Sequence, residues 1–193
     1  MRIFLAILIL LFPAFVFAEG EPVKWELVPE KSKIEWETNY GAQKIKGSFH
    51  NFTTNILFDI ENPENSKIKV KIDLSSIKSD ESNAKSMLPG KDWLNTSKYP
   101  FAFFEIETIK AVTGEEESNK YYNAVGNLTI KDKTIRVNLP FNIKFSEDKK
   151  TANASGELTL NRLDFGIGKG EWEDTSVVTN EVKVSFYIDA ISE

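Results

Sequence analysis

One stretch of this 193-residue chain gathers residue types that do chemistry. From Leu160 to Ser176 it reads LNRLDFGIGKGEWEDTS. Arg162 stands where strand alternation calls for an apolar residue. Asp164 follows, glycines come at 166, 168 and 170, and Trp172 lies among acids. Three chemistries suit such a segment. Glycines let backbone amides approach a phosphate, but a phosphate loop needs a strand–loop–helix unit, none is signalled downstream, and EWEDTS is acidic. Carboxylates such as Asp164 with Glu171 or Glu173 invite acid–base work, yet with 29 acids in the chain such pairs arise freely. The third is a guanidinium that either pairs with a carboxylate such as Asp164 or grips the oxyanion head of a ligand in bidentate fashion.

Other reactive groups are scarce. The chain has no cysteine and one histidine, His50, which removes thiol catalysis, Cys-ligated metal and multi-His metal sites. His50 lies in SFHNF, where alternation turns it outward or leaves it in a turn. No nucleophile elbow and no HExxH motif occurs. The reading is a non-enzyme without a cofactor.

The elements that must position Arg162 are strands. KIEWETNY (33–40), QKIKGSF (43–49), FTTNILFDI (52–60) and KIKVKIDL (67–74) alternate apolar and polar residues. In the last, Ile68, Val70, Ile72 and Leu74 face one way and Lys67, Lys69, Lys71 and Asp73 the other. FAFFEIETI, YYNAVGNLTI, TIRVNLPFNIKF, ASGELTLN and EVKVSFYI continue the theme. Period-two alternation means sheet with one dry face and one wet face. NPENS, TGEEESN, KDK and SEDKK read as turns between strands. Pro140 within TIRVNLPFNIKF either turns its missing N–H outward or marks a bulge.

Residues 80–100, DESNAKSMLPGKDWLNTSKYP, lack alternation. Asp80 or Ser82 caps a short helix that Pro89–Gly90 ends. Met87, Leu88, Trp93 and Leu94 need cover, so this connection is expected to lie as a flap across one end of the sheet structure.

Leu158 and Leu160 fall on the dry face. Continued alternation sends Arg162 and Asp164 inward and Leu163 and Phe165 outward, so a bulge resets the register here or the strand leaves the sheet. Trp172 is expected to fold over the open end. Eight or nine antiparallel strands with one dry face make either a sandwich or a barrel, and periodicity does not choose.

The first residues give an address. Arg2, the apolar run IFLAILILLFPAFVF and a small residue at Ala18 form a secretory signal peptide, cleaved after Ala18. A single domain then spans 19–193. A chain of this length buries a core without disulfides. Its charge is −6 after loss of Arg2 (23 basic against 29 acidic residues), which repels phosphate backbones and makes nucleic acid an unsuitable partner.

Several pieces, in order, resemble the YceI-like family of exported lipocalin-like proteins. They are KWELVPEKSKIEW (24–36), KIKGSFHNFTTNILFD (44–59), VKIDLSSIKSDESNAKSMLPGKDWLNTSKYPFAFFE (70–105), GNLTIKDKTIRVNLPF (126–141) and LNRLDFGIGKGEWEDTSVVTNEVKVSFYI (160–188). The resemblance implies an all-β fold, an eight-stranded antiparallel lipocalin-like barrel with a short helical segment at residues 80–97. It implies an elongated apolar tunnel for a long-chain amphiphile, a polyisoprenoid, an isoprenoid quinone or a fatty-acid derivative. It also implies homodimers, periplasmic location and transient membrane contact. Where many relatives carry histidines, this chain has Lys31, Asn39 and Met87.

With a tunnel, the dry-face aromatics become a site: Trp36, Phe49, Phe58, Phe103 and Phe141, with Phe145 and Phe186 as further candidates. Leu158 and Leu160 join them from the strand before Arg162, and Leu88 and Trp93 from the flap. Arg162 is the candidate for the head group. Without a tunnel the same residues are core, and the protein is a ligand-free stress-related or interaction factor with a filled barrel.

Overall fold

A computed structural model describes residues 21–112 and 119–193. The signal-peptide reading of residues 1–18 and most of the TGEEESN turn lie outside the described residues. Eleven strands follow one another: β1 (Val23–Leu27), β2 (Lys33–Tyr40), β3 (Gln43–Phe49), β4 (Phe52–Phe58), β5 (Lys67–Asp73), β6 (Ile77–Ser79), β7 (Phe101–Val112), β8 (Asn119–Ile130), β9 (Lys133–Phe145), β10 (Thr151–Asn161) and β11 (Glu181–Ser192). One helix, α1 (Ser82–Met87), lies between β6 and β7.

The strands close into an eight-stranded antiparallel barrel. The ring runs β1-β4-β5-β7-β8-β9-β10-β11 and returns to β1. The other three strands prolong members of the ring. β11 pairs with β1 through Ala190–Ser192 and with β2 through Lys183–Tyr187, so β1 and β2 share one edge. β3 pairs with β2 as β4 pairs with β1, and β6 pairs with β3 as β5 pairs with β4. Each of these long strands is broken once, at the 3-10 turns Pro29–Lys31 and Leu74–Ser76 and at His50–Asn51. Taken whole, every strand neighbours its predecessor in an up-and-down meander that closes on itself.

Alternation predicts the strands from β2 to β5 and from β7 to β11, but β1 and β6 are too short to show it. α1 is capped by Glu81, whose side chain accepts from the Asn83 amide, where Asp80 or Ser82 was expected. Pro89–Gly90 ends it, with the Gly90 amide bonded to the Met87 carbonyl at 2.8 Å.

Two features shape the interior. Trp25, Phe58, Ile109, Tyr122, Ile143, Ala152 and Ala190 form a plug at the end of the barrel where β1 begins. Its rings pack tightly, with Phe58 edge-on to Tyr122 at 5.5 Å and Tyr122 stacked on Phe141 at 5.3 Å. At the opposite end Trp36, Ile45, Leu74, Ile77, Leu94 and Ala102 make a second cluster, against which Phe49, Leu88 and Ile167 pack.

The barrel is not laced everywhere. β9 and β10 pair only from Phe141–Phe145 to Gly156–Ala152. The next pair in register is Pro140 with Glu157, and proline has no N–H to offer the ladder. Beyond it β9 stays bonded to β8 and β10 to β11, but not to each other. Where an outward-turned missing N–H or a bulge was expected at Pro140, the structure has an unzipped seam.

Candidate functional site

The space between the two clusters is a cavity of about 280 Å³. All eight strand positions contribute to its wall, among them Trp36 from β2, Phe49 from β3, Phe104 from β7, Phe141 from β9, Leu158 and Leu160 from β10, and Phe186 from β11. Leu88, Trp93 and Leu94 close it from the flap, and Arg162, Phe165, Ile167 and Val178 close it from the segment after β10. The barrel is therefore not filled.

Eight of the ten residues singled out as tunnel residues line this wall: Trp36, Phe49, Leu88, Trp93, Phe141, Leu158, Leu160 and Arg162. Two do not. Phe103 is 45 % exposed on the outside of β7, opposite Lys71, and its neighbour Phe104 points inward instead. FAFF offers an aromatic to each face, so alternation gave no choice between them. Phe58 does point inward, but it sits in the plug, below the cavity. Alternation gives the face of a residue and not its height along the barrel. Of the further candidates, Phe186 lines the wall and Phe145 packs on the plug.

The opening stretch resolves as a cap. β10 ends at Asn161, and residues Arg162–Phe165 form one 3-10 turn. Three residues per turn bring positions 162 and 165 to the same side. Arg162 and Phe165 are both 2 % exposed, whereas Asp164 faces solvent, so the outward placement of Phe165 and the inward placement of Asp164 are corrected. Gly166 and Gly168 sit at φ +63° and +76°, the left-handed region that reverses the chain over the mouth.

Arg162 is bound neither to Asp164 nor to any other carboxylate. Its Nε donates to the Thr179 carbonyl at 3.1 Å. Nη1 donates to the carbonyls of Ile167 at 2.9 Å and Gly168 at 3.1 Å. Nη2 donates to those of Trp172 at 2.6 Å and Val178 at 2.9 Å. A guanidinium has five N–H groups, and all are used on the backbone of the cap. Burial lowers its pKa below the ordinary arginine value. A Cβ on Gly168 would lie 2.3 Å from Nη1, so the chain passes over Arg162 only as glycine. The guanidinium carbon lies 5.7 Å from the centroid of Trp93, whose ring covers it from the flap, and Trp93 in turn meets half-buried Trp172 at 5.5 Å.

Cap and flap are tied to each other. The amides of Gly168 and Lys169 both donate to the Asp92 carbonyl, at 2.8 and 2.9 Å. From the β8–β9 turn, Lys131 donates to the carbonyls of Trp93 at 2.8 Å and Gly166 at 2.6 Å. Burial, then the nearby Lys169, depresses its pKa. Lys131 was missed in the sequence because KDK reads only as a turn, and nothing local shows a lysine reaching two carbonyls.

The remaining chemistry-bearing residues lie elsewhere. His50 is exposed between β3 and β4, within 3.3 Å of the Ser48 hydroxyl. Glu171 and Glu173 are exposed. Lys31 and Asn39 are exposed too, and neither they nor Met87 line the cavity.

A UPF0312 protein of Yersinia pestis (strain Pestoides F) is 30 % identical over 131 residues, which span 65 % of either chain. A UPF0312 protein of Pseudomonas aeruginosa (strain LESB58) is 29 % identical over 157 residues, 79 % of this chain and 77 % of that one. The crystal structure of Burkholderia cenocepacia BcnA superposes with a TM-score of 0.76 at 29 % identity, covering 85 % of this chain and 99 % of BcnA. A polyisoprenoid binding domain from Saccharophagus degradans shares the fold, with a TM-score of 0.68 at 11 % identity over 89 % of this chain and 99 % of that domain. The model of the YceI-like domain matches residues 25–190, nearly all of the barrel, and the chain belongs to that family.

Proposed function

We propose that this protein is an exported, periplasmic carrier that holds one long-chain amphiphile, isoprenoid or fatty-acid derived, inside the barrel. The observation that carries the reading is the cavity, walled by apolar side chains from every strand position. At about 280 Å³ it lies just below the ~300–1,000 Å³ usual for small-molecule sites. The polyisoprenoid-binding domain of like fold supports the class of ligand. The basic, apolar and small-residue pattern of residues 1–18 supports export.

The energetics favour a chain over a compact ligand. Each buried methylene contributes ~0.8 kcal/mol, so a tail of about fifteen carbons supplies on the order of 12 kcal/mol against association costs of ~4–15. Tail length sets affinity more than the head does. The carrier takes up and gives up its lipid by transient contact with membranes, as a monomer or a homodimer. The apolar wall supports a binding role.

The test is mass spectrometry of an organic extract of the protein purified from its native compartment. A stoichiometric long-chain lipid is the expected result. A clean extract, with no uptake of isoprenoids or fatty acids on incubation, would return the protein to the class of ligand-free interaction factors.

A further inference from the structure

A chain held in this barrel can leave through the floor, the mouth or the side. The floor is shut: Trp25, Phe58 and Tyr122 are each at most 4 % exposed, and Phe58 meets Tyr122 edge-on. The mouth is bolted. The Gly168 and Lys169 amides of the cap donate to the Asp92 carbonyl of the flap, and Lys131 holds one carbonyl of each. Lifting cap from flap breaks these bonds together and uncovers the guanidinium that Trp93 shields.

The side is different at one join. Over Lys133–Pro140 and Glu157–Asn161 both strands continue, but no ladder joins them. Among the described residues no other two neighbouring strands run so far unpaired. At ~3.3 Å per residue, the stretch of β10 makes the break about 17 Å long. Its lips are apolar side chains. β9 sets Ile135, Val137 and Leu139 on the parity of the interior, and β10 sets Leu158 and Leu160 there. Leu139, Leu158 and Leu160 line the cavity itself.

The charges of both edges are drawn away from the break. Arg136 Nε reaches Glu107 on β7 at 2.8 Å, and Glu157 pairs with Lys183 on β11 at 2.6 Å. Among the described residues no hydrogen bond or ion pair crosses it. It is held at its ends, by the Phe141–Gly156 pair on the plug side and by Lys131 on the Gly166 carbonyl at the mouth. Apolar side chains that part around a tail regain contact with the tail, whereas a broken bond between cap and flap leaves polar groups against an apolar guest.

We propose that the lipid enters and leaves sideways, through the seam between β9 and β10, while cap and flap stay joined. This rests on the carrier reading above. Leu139, Leu158 and Leu160 are then the residues that part.

The test staples each route in turn. The chain has no cysteine, so introduced pairs are its only thiols. Asn138→Cys with Thr159→Cys, both exposed and opposite in the continued register, take a short bis-maleimide across the seam. Asp92→Cys with Lys169→Cys, also exposed, take the same reagent across flap and cap. The same pairs capped with N-ethylmaleimide are the references. Stopped-flow tryptophan fluorescence follows geranylgeraniol into the delipidated protein and out of it into phosphatidylcholine vesicles, with Trp36 and Trp93 of the wall as reporters. The seam staple is expected to slow uptake and release at least about tenfold with Kd within about twofold, and the cap staple to leave both rates within about twofold. Leu160→Ala, which trims a lip without a staple, guards against a stapled chain that folds poorly, and thermal unfolding checks every variant. It is expected to speed uptake as well as release, by at least about threefold, whereas lost packing alone changes release only. A seam staple that changes neither rate overturns the proposal. So does a cap staple that slows exchange as much as the seam staple, or an unchanged uptake rate in Leu160→Ala. If the parent chain takes up no geranylgeraniol, the carrier reading itself has failed, a different outcome from the wrong route.

Discussion

Ala154→Phe is the sharpest probe of how a ligand lies. Ala154 sits in β10 between Ile143 and Ile188, on the wall of the cavity and against the plug. A phenylalanine there adds about six carbons to the floor of an existing space, without entering a filled core as overpacking substitutions do. If the tail runs from cap to plug, the ring takes the place of about four to six terminal carbons. At ~0.8 kcal/mol each, the loss is about 3–5 kcal/mol, or from roughly 10²-fold to a few thousandfold in Kd. A chain too short to reach the floor loses nothing. The assay is titration with geraniol, farnesol and geranylgeraniol, followed by tryptophan fluorescence, in the parent chain and the variant. The expected pattern is an unchanged Kd for the shortest alcohol and a loss that grows with length. An equal loss at all lengths, or none at the longest, would show that the tail does not lie along the barrel axis.

Three further outcomes follow from the same geometry. Leu158→Arg, which drives a charge into the wall, is expected to weaken lipid binding more than about 100-fold, because an unpaired charge there costs several kcal/mol; Lys69→Glu, on an exposed pair with Glu105, should stay within about twofold in the same titration. Gly168→Ala forces a left-handed residue and brings its Cβ to 2.3 Å from Arg162, so denaturant unfolding should show a loss of about 2–4 kcal/mol. Burial pushes the Tyr122 hydroxyl up to about 12 from 10.0, so the stability tied to its neutral form is complete below pH 10 and is lost as pH rises through about 12. Tyr122→Phe should remove about 2–3 kcal/mol of that alkaline decline, measured by unfolding at stepped pH, and leave neutral stability little changed because the hydroxyl has no partner.

Much of this architecture is written in period-two alternation. KIKVKID places Ile68, Val70 and Ile72 inward, and the structure puts all three on the cavity wall. Alternation fails where its physics stops. At Arg162 the backbone changes from two residues per repeat to three, so Phe165 turns in against the expected parity. In FAFFE both faces carry phenylalanine, and only the opposition of Phe104 to Val70 and Phe103 to Lys71 separates inside from outside. The partners of Arg162 had no local signal. They are carbonyls from residues 167 to 179, brought round by three left-handed glycines, and a carbonyl has no identity in a sequence. Lys131 bonds across two connections for the same reason, since contacts between cap and flap exist only after the barrel closes.

The unzipped seam makes the circumference of the barrel elastic at one place. Where a ladder spans the wall, widening it breaks hydrogen bonds. Between Lys133–Pro140 and Glu157–Asn161 no ladder spans the gap, so a bulkier guest spreads these strands at no cost in backbone pairing. Bare strand edges also invite foreign strands, the first step of fibre growth. Here the two edges carry the exposed charges of Arg136 and Glu157 beside exposed Pro140, and each of these deters a templating chain. One proline thus sets where the container stretches, and its charged neighbours keep that slit from seeding aggregation.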